Sequence, residues 1–293
     1  DISDLVAELP YADDFNPNIA ALGSDPDGNM WAVPIAGYGQ GLHYNRALFI
    51  EAGLDPDAPP TTWDEVREYA QQIADATGQA GYAQMTQSNT GGWILTTLVY
   101  AFGGRTELVE GDTVTATINT PEMVTALETI KAMRWEDQSM GFNFLYDWGT
   151  INQDFAAGRI GMHISGGGNF GALYTQNGLN PDEYGLTVVP LEGDDAGVLA
   201  GGTLVAVRAN VDEPTRQAAV KWIDFYYMEK LTTEEAAVAD AQALAATDQP
   251  VGVPQMPIFD RATHDQSVEW VREYINVPLD QMVGFTDNIF EQQ

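Results

Sequence analysis

The chain contains no cysteine. Disulfides, thiolate metal sites and cysteine nucleophiles are therefore excluded together. The absence is compatible with export without establishing it. Basic residues are also scarce, 12 against 43 acidic ones, and only Lys131, Lys221 and Lys230 are lysines. A formal net charge of −31 makes a surface that repels nucleic acid and anionic lipid, because no basic patch exists to release phosphate counterions. No run of about 18 apolar residues occurs, so no membrane-spanning helix is expected. The opening DISDLVAELPYADDF has neither a basic n-region nor an apolar h-region; any export signal is expected to have been removed or to lie outside this sequence. The three histidines, His43, His163 and His264, are scattered. No H-E-x-x-H, G-x-S-x-G or P-loop motif is present, and Gly166-Gly167-Gly168 lacks dinucleotide-binding spacing. No cofactor or metal is expected, and His43 and His163, in predicted strands, read as structural.

What is there is a globular composition. At 293 residues with 44% hydrophobic content, the chain can form one large domain or two lobes. The acids are spread along the sequence rather than gathered in a tail. Such like charge weakens a compact state at low ionic strength and is screened by salt, so the composition reads as adaptation to a very salty environment rather than as an ordinary acidic secreted protein.

Helical and strand patterns alternate, which points to α/β architecture. Asp25-Pro26-Asp27-Gly28-Asn29 faintly suggests a calcium loop but lacks its full ligand spacing, and is expected to be a hairpin turn. A short strand is expected to stop at Pro34, followed by a glycine-rich crossover, Gly37–Gly41, and a second strand from Leu42 to Asn45. Thr62, with Glu65 three residues later, caps a helix. Thr120-Pro121 opens another, to about Trp135, with Met123, Leu127, Ile130 and Met133 or Arg134 approximating its stripe. Asp147 can cap the helix that carries Phe155. Strands are expected at Ile160–Ile164, Leu186–Val189 and Leu204–Val207, and a long helix from Glu213-Pro214 to about Met228. Trp31, Trp63, Trp135, Trp222 and Trp270 read as core or boundary residues.

This order of parts resembles the extracellular solute-binding proteins of ABC importers (family 1, sugar-binding type). GGWILTTLVYAFGG (Gly91–Gly104), INQDFAAGRIGMHISGGGNF (Ile151–Phe170), YGLTVVPLEG (Tyr184–Gly193), AGGTLVAV (Ala200–Val207) and VPLDQM (Val277–Met282) follow one another as the family's segments do. The resemblance implies a type II periplasmic-binding-protein-like α/β fold with two lobes, a hinge and an interlobe cleft. It assigns residues 1–36 and 193–247 to an N-terminal lobe, 42–189 and 250–293 to a C-terminal lobe, and hinges near 37–41, 190–193 and 277–278. Relative to the family, parts of both lobes are expected to be absent. The resemblance also implies export, with a lipid anchor, if any, on a segment not present here. It further implies a monomer that binds a sugar or oligosaccharide, closes about its hinge and delivers the solute to a membrane permease. A polyamine or glycerol derivative is the alternative solute, and a carbohydrate-active hydrolase the alternative of another class.

A sugar site needs flat aromatics and fixed polar partners. Tyr38 and Gln40 in the crossover read as solute contacts or as a surface loop. Trp93, expected to start a helix after Gly91-Gly92, can stack on a ligand or anchor the core, with Gln87, Ser88 and Asn89 before it as polar partners. Trp148, at another helix start, has the same two readings. Asn169 and Phe170 stand in the turn where sugar binders often carry a tryptophan. Gly201 and Gly202 either allow close backbone approach or form a turn. With 43 acids, the carboxylate pair a glycosidase needs can always be nominated; Asp147 and Asp154 are one such pair.

Overall fold

The structure is a computed structural model and describes residues 1–285 except Asp112. Its strands are β1 (Ala32–Asn45), β2 (Ala80–Tyr82), β3 (Glu107–Glu110), β4 (Thr113–Ala116), β5 (Ile160–Gly166), β6 (Tyr184–Val188) and β7 (Ala200–Ala206). The longer helices are α1 (Trp63–Thr77), α2 (Ser88–Ala101), α3 (Pro121–Trp135), α4 (Trp148–Ala156), α5 (Phe170–Asn177), α6 (Glu213–Ile223), α7 (Glu234–Ala245) and α8 (Arg261–Val271). No described helix is long and apolar enough to cross a membrane.

The chain forms two compact units. One comprises Asp1–Gly39 and Ala200–Val277, the other Gln40–Leu199 and the chain from Pro278 onward. In the first unit β1, over Ala32–Gly39, pairs antiparallel with β7. The Asp25 loop ahead of it is a turn, as its spacing suggested. The Asp25 carboxylate accepts from the backbone N–H of Asp27 and Asn29, the Asn29 amide and the Trp31 indole, and these donors hold its pKa near 2. The core gathers Tyr11, Phe15, Ile19, Val33, Val220, Ile223 and Phe259. Residues 250–277, assigned from the sequence to the company of 42–189, belong to this unit instead. Met256 N–H donates to Gly37 O (3.1 Å), and Phe259 packs its ring on Tyr11 and Phe15.

The second unit is built on a sheet of order β2-β5-β1-β6, in which β2 runs parallel to β5 and β1 antiparallel to both β5 and β6. Local chemistry sets its helices. Thr62 and Thr120 each accept from the backbone N–H three residues on. Asp147 and Thr150 form a reciprocal capping box at the start of α4. The buried line of α3 is Ala126, Ala132 and Met133, whereas Leu127 is exposed; the stripe follows the small residues that let α3 approach its neighbours. The segment 190–199, expected to hold a hinge, stays in this unit. Glu192 N–H donates to Ala101 O, Gly197 N–H to Tyr100 O, and the Glu192 carboxylate accepts from Trp63 N–H. The chain changes unit at Leu199–Ala200.

Two strands expected on either side of a crossover are one strand. β1 runs unbroken for 14 residues through Pro34 and three glycines. Proline lacks an N–H and fits where a ladder is irregular, and the register shift lies between Pro34 and Ala36. The glycines are tolerated because β7 opposes them with small residues of its own, Gly37 facing Gly202 and Gly39 facing Ala200. Of the tryptophans read as core or boundary, Trp63 is buried, but Trp31, Trp135 and Trp222 are more than half exposed.

Candidate functional site

In the second unit, register places Gly166 of β5 opposite Gln40 and Val188 of β6 opposite Gly41. The carboxyl ends of β5 and β6 thus meet the start of this unit's half of β1. β2 runs parallel to β5 and ends beside Met162, level with Tyr44, with its chain heading toward the same end. Solutes of α/β sheets bind outside strand carboxyl ends. Helix starts collect there as well: β2 leads into α2, β5 leads through Gly167–Asn169 into α5, and a bridge between Met85 and Tyr146 ties in the start of α4. Helix N-termini present backbone N–H groups and positive dipole ends to oxygen ligands. At α4 the Asp147 side chain occupies this role; neither α2 nor α5 has a side-chain cap.

Gln40 closes this end of β1. It is only 5% exposed, and its Oε1 has no hydrogen-bond partner among the described residues. The Gln281 Oε1, in the same unit, is buried and unpartnered too. Asn169 is buried and exchanges two amide hydrogen bonds with Asn152 of α4, at 2.9 and 3.2 Å. Each amide keeps one further donor hydrogen and acceptor capacity. Sequence reasoning missed Asn152, because its partner lies 17 residues away and neither residue carries a motif. Nearby, Gln84 is buried and accepts from the Tyr82 hydroxyl at 2.9 Å.

Three expected contacts take different positions. α2 begins at Ser88, not at Trp93, which sits half-buried in its second turn. Ser88, at the helix start, takes a left-handed φ of 53°. Gly91 also fits inside it, where a Cβ would stand 2.6 Å from the Thr86 carbonyl oxygen. Gln87 spends its amide donor on Leu145 O (2.9 Å), whereas Asn89 is exposed in the first turn. Phe170 is a core residue: it is buried, stacked on Tyr174 and edge-on to Tyr184. Trp148 remains 41% exposed.

Tyr38, Gly201 and Gly202 lie in the first unit, on the β1–β7 ladder. The two glycines form strand, not turn. Tyr38 is half-buried and faces Gly201, where a Cβ would fall 2.6 Å from the phenol oxygen. Close approach is thus the reason for glycine at 201, and the group that approaches is this chain's own tyrosine.

The two carboxylates nominated from the sequence, Asp147 and Asp154, are committed to structure. Asp147 caps α4, and the donors of Thr150 hold its carboxyl below the usual range. Asp154 pairs with Arg159 (2.8 Å) and accepts from Tyr146 (2.9 Å). Burial, and then Asp154, push the Tyr146 phenol up to about 12. The arginines are engaged likewise: Arg46 with Asp57, Arg67 bidentate with Asp137, Arg105 with Asp195, and Arg134 with the carbonyls of Gly141 and Phe142. Among the described residues no group of three or more metal-ligating side chains is placed to hold a metal ion.

Comparison with known proteins accords with this architecture. The chain is 25% identical over 221 residues to the sn-glycerol-3-phosphate-binding periplasmic protein UgpB of Salmonella typhimurium, an alignment covering 72% of this chain and 48% of that protein. It spans about half the length of the curated relatives it matches. Among solved structures it resembles the cyclic alpha-maltosyl-1,6-maltose binding protein of Arthrobacter globiformis (TM-score 0.66, 24% identity, 98% of this chain and 65% of that one). It also resembles maltose-bound MalE3 of T. maritima (TM-score 0.70, 19% identity, 94% and 66%). The family model for bacterial extracellular solute-binding proteins matches residues 2–231, and the chain belongs to that family.

Proposed function

We propose that the chain is part of the solute-binding component of an ABC importer, working on the extracellular or periplasmic face and delivering a sugar or another neutral polyol to a membrane permease. The observation that carries the solute class is the buried Gln40 Oε1, without a partner among the described residues, at the carboxyl ends of β5 and β6. A buried acceptor without a donor is costly, and a hydroxyl supplies a donor and keeps acceptor capacity for the Asn169 and Asn152 amides and the helix N–H groups. A family of binding proteins and carboxylates tied up as caps and ion pairs both favour binding without turnover. The name of the UgpB relative keeps a glycerol derivative as the second reading. The arginines already engaged within the second unit argue against a phosphate, which calls for a guanidinium or ammonium partner. On this reading Gln40, Asn169, Trp93, Trp148 and Asn89 engage the solute within the second unit, and the three chain passages between the units act as hinges.

The test is a tryptophan-fluorescence titration of the full-length protein with neutral sugars, polyols, polyamines and glycerol 3-phosphate. One sugar class should bind saturably and be recovered unchanged. Gln40→Met should weaken it at least about tenfold, the scale of one lost hydrogen bond in a desolvated site, with the urea midpoint unchanged or higher. Tight binding of glycerol 3-phosphate alone would establish the second reading, and recovery of cleaved sugar would establish a hydrolase.

The composition is read in the same way as fitted to high salt. With 31 net negative charges, raising NaCl from 0.1 to 2 M shortens the Debye length from about 10 Å to a few ångström. The melting temperature should climb through this range. A midpoint that does not move with salt would remove the halophilic reading.

A further inference from the structure

The stretch Gly141–Trp148, leading into α4, has an unusual surface. Phe142 is 99% exposed, Phe144 61%, and Leu145 and Trp148 are exposed beside them. Single exposed apolar residues are ordinary; four within seven positions are not. The loop carrying them is tied down at nearly every residue. Thr86 donates its hydroxyl to Phe144 O, and Gln87 its amide to Leu145 O. The backbone N–H groups of Thr86 and Gln87 both reach Tyr146 O, at 2.9 and 3.0 Å. Arg134 donates to the carbonyls of Gly141 and Phe142 and places its guanidinium over the Phe144 ring, 5.7 Å from the centroid. Leu145 N–H is held by the Asn143 side chain, and the Tyr146 hydroxyl by Asp154.

A backbone held in this way, with largely exposed rings, is pre-organised for stacking, since little entropy remains to be lost when a partner arrives. The partner's chemistry follows from what the loop is tied to. Its anchors, Thr86 and Gln87, are the residues that lead into the uncapped start of α2, and Trp148 begins α4. The rings therefore continue the polar strand-end site outward within the same unit. Flat aromatic faces next to hydrogen-bonding groups match the C–H faces and hydroxyl rims of a second and third sugar ring.

We infer that Phe142 and Phe144 form an outer stacking subsite, so that the solute is an oligosaccharide rather than a single sugar. This rests on the carbohydrate reading of the inner site. The inner groups would hold one terminal ring and the loop the rings beyond it. Thr86, Gln87 and Arg134 hold the platform in place.

The experiment is calorimetric titration of the full-length protein, in molar salt, with glucose, maltose and maltotriose and with xylose, xylobiose and xylotriose. Wild type is compared with the Phe142→Ala/Phe144→Ala double variant. Both rings are largely exposed, so the variant should keep the wild-type urea midpoint, which is measured alongside. The expected result is a series in which wild type binds the trisaccharide at least tenfold more tightly than the monosaccharide. The variant should lose that increment while holding the monosaccharide unchanged. A variant that binds the trisaccharide as wild type does would overturn the subsite and leave the inner site standing. A wild type that binds none of these sugars would overturn the carbohydrate reading, and the subsite with it.

Discussion

Acidification from pH 7 to pH 4 should cost the second unit roughly 3 kcal/mol or more through two side chains, His43 and His163. They face each other across β1 and β5, fully buried, with stacked rings 5.1 Å apart. His43 donates through Nε2 to the carbonyls of Ser165 and Gly166 and accepts the Tyr184 hydroxyl at Nδ1 (2.9 Å), an arrangement that fixes the neutral tautomer. Burial pushes its pKa down to about 4. Among the described residues His163 has no hydrogen-bond partner at either ring nitrogen. Burial first, and then His43, hold it well below the ordinary range. With folded pKa values depressed, the unfolded chain binds more protons between the ordinary histidine pKa and the folded one. Stability is then complete above about pH 6.5 and falls as pH drops toward 4. A shift of about 2.5 units at His43 corresponds to roughly 3 kcal/mol, and His163 adds to it.

The carboxylates also titrate in this range, so the histidine part must be isolated. His163→Met keeps the volume, packs sulfur against His43 and Phe155, and removes two buried unpartnered nitrogens. The variant should be more stable than wild type at pH 7, by about 1–3 kcal/mol, and should lose less on acidification. Urea midpoints at pH 7, 5.5 and 4 decide the matter. A variant as acid-sensitive as wild type would show that the pair does not govern the response.

Gly81→Ala should be among the most damaging single-atom additions in the chain, at or above about 3 kcal/mol. A Cβ at Gly81 of β2 would lie 1.9 Å from the carbonyl oxygen of Ala70 and 2.4 Å from its carbon. Both are α1 backbone, which no rotamer change can move. The other side is closed as well, since Gly81 N–H donates to Ser139 O at 2.7 Å. Overpacking typically costs 1–3 kcal/mol when side chains absorb it, and here a helix would have to shift. Gly171→Ala is the control. This residue lies in α5 with nothing within 4 Å of the added carbon, so the change should be neutral or stabilising by up to about 1 kcal/mol. If both variants melt alike, the close approach of α1 to β2 is not what holds Gly81.

Features set by neighbouring residues were legible in the sequence. Thr62, Thr120 and Asp147 cap where their spacing says, because the bond is made within three residues. Family order was legible for a related reason: each segment carries its own turn and cap chemistry. Features set by distant partners were not. Pro34 and the glycines of β1 look like strand breakers until β7, some 160 residues later, sets Gly202 opposite Gly37 and Ala200 opposite Gly39. Trp222 and Trp135 carry apolar side chains on helix positions, yet both stay more than half exposed. Phe170 was nominated as a contact for its place in a turn, whereas Tyr174 and Tyr184 draw it into the core. Of the candidate site, the sequence nominated loops and helix starts by their local chemistry. The Asn152–Asn169 exchange and the isolation of Gln40 Oε1 depend on side chains that meet only in the fold.

β1 also sets a rule about length. One strand supplies the ladder to β7 with its first half and the ladders to β5 and β6 with its second. Side chains alternate with a period of two, so an odd insertion or deletion flips the faces of whichever half must re-register. An ordinary strand can absorb such a change by sliding as a whole. This one cannot, because satisfying either set of partners displaces the other. The irregular step between Pro34 and Ala36 is the place already built to take up a residue, which makes the ten positions from Ala36 to Asn45 a fixed ruler that point substitutions can edit and length changes cannot.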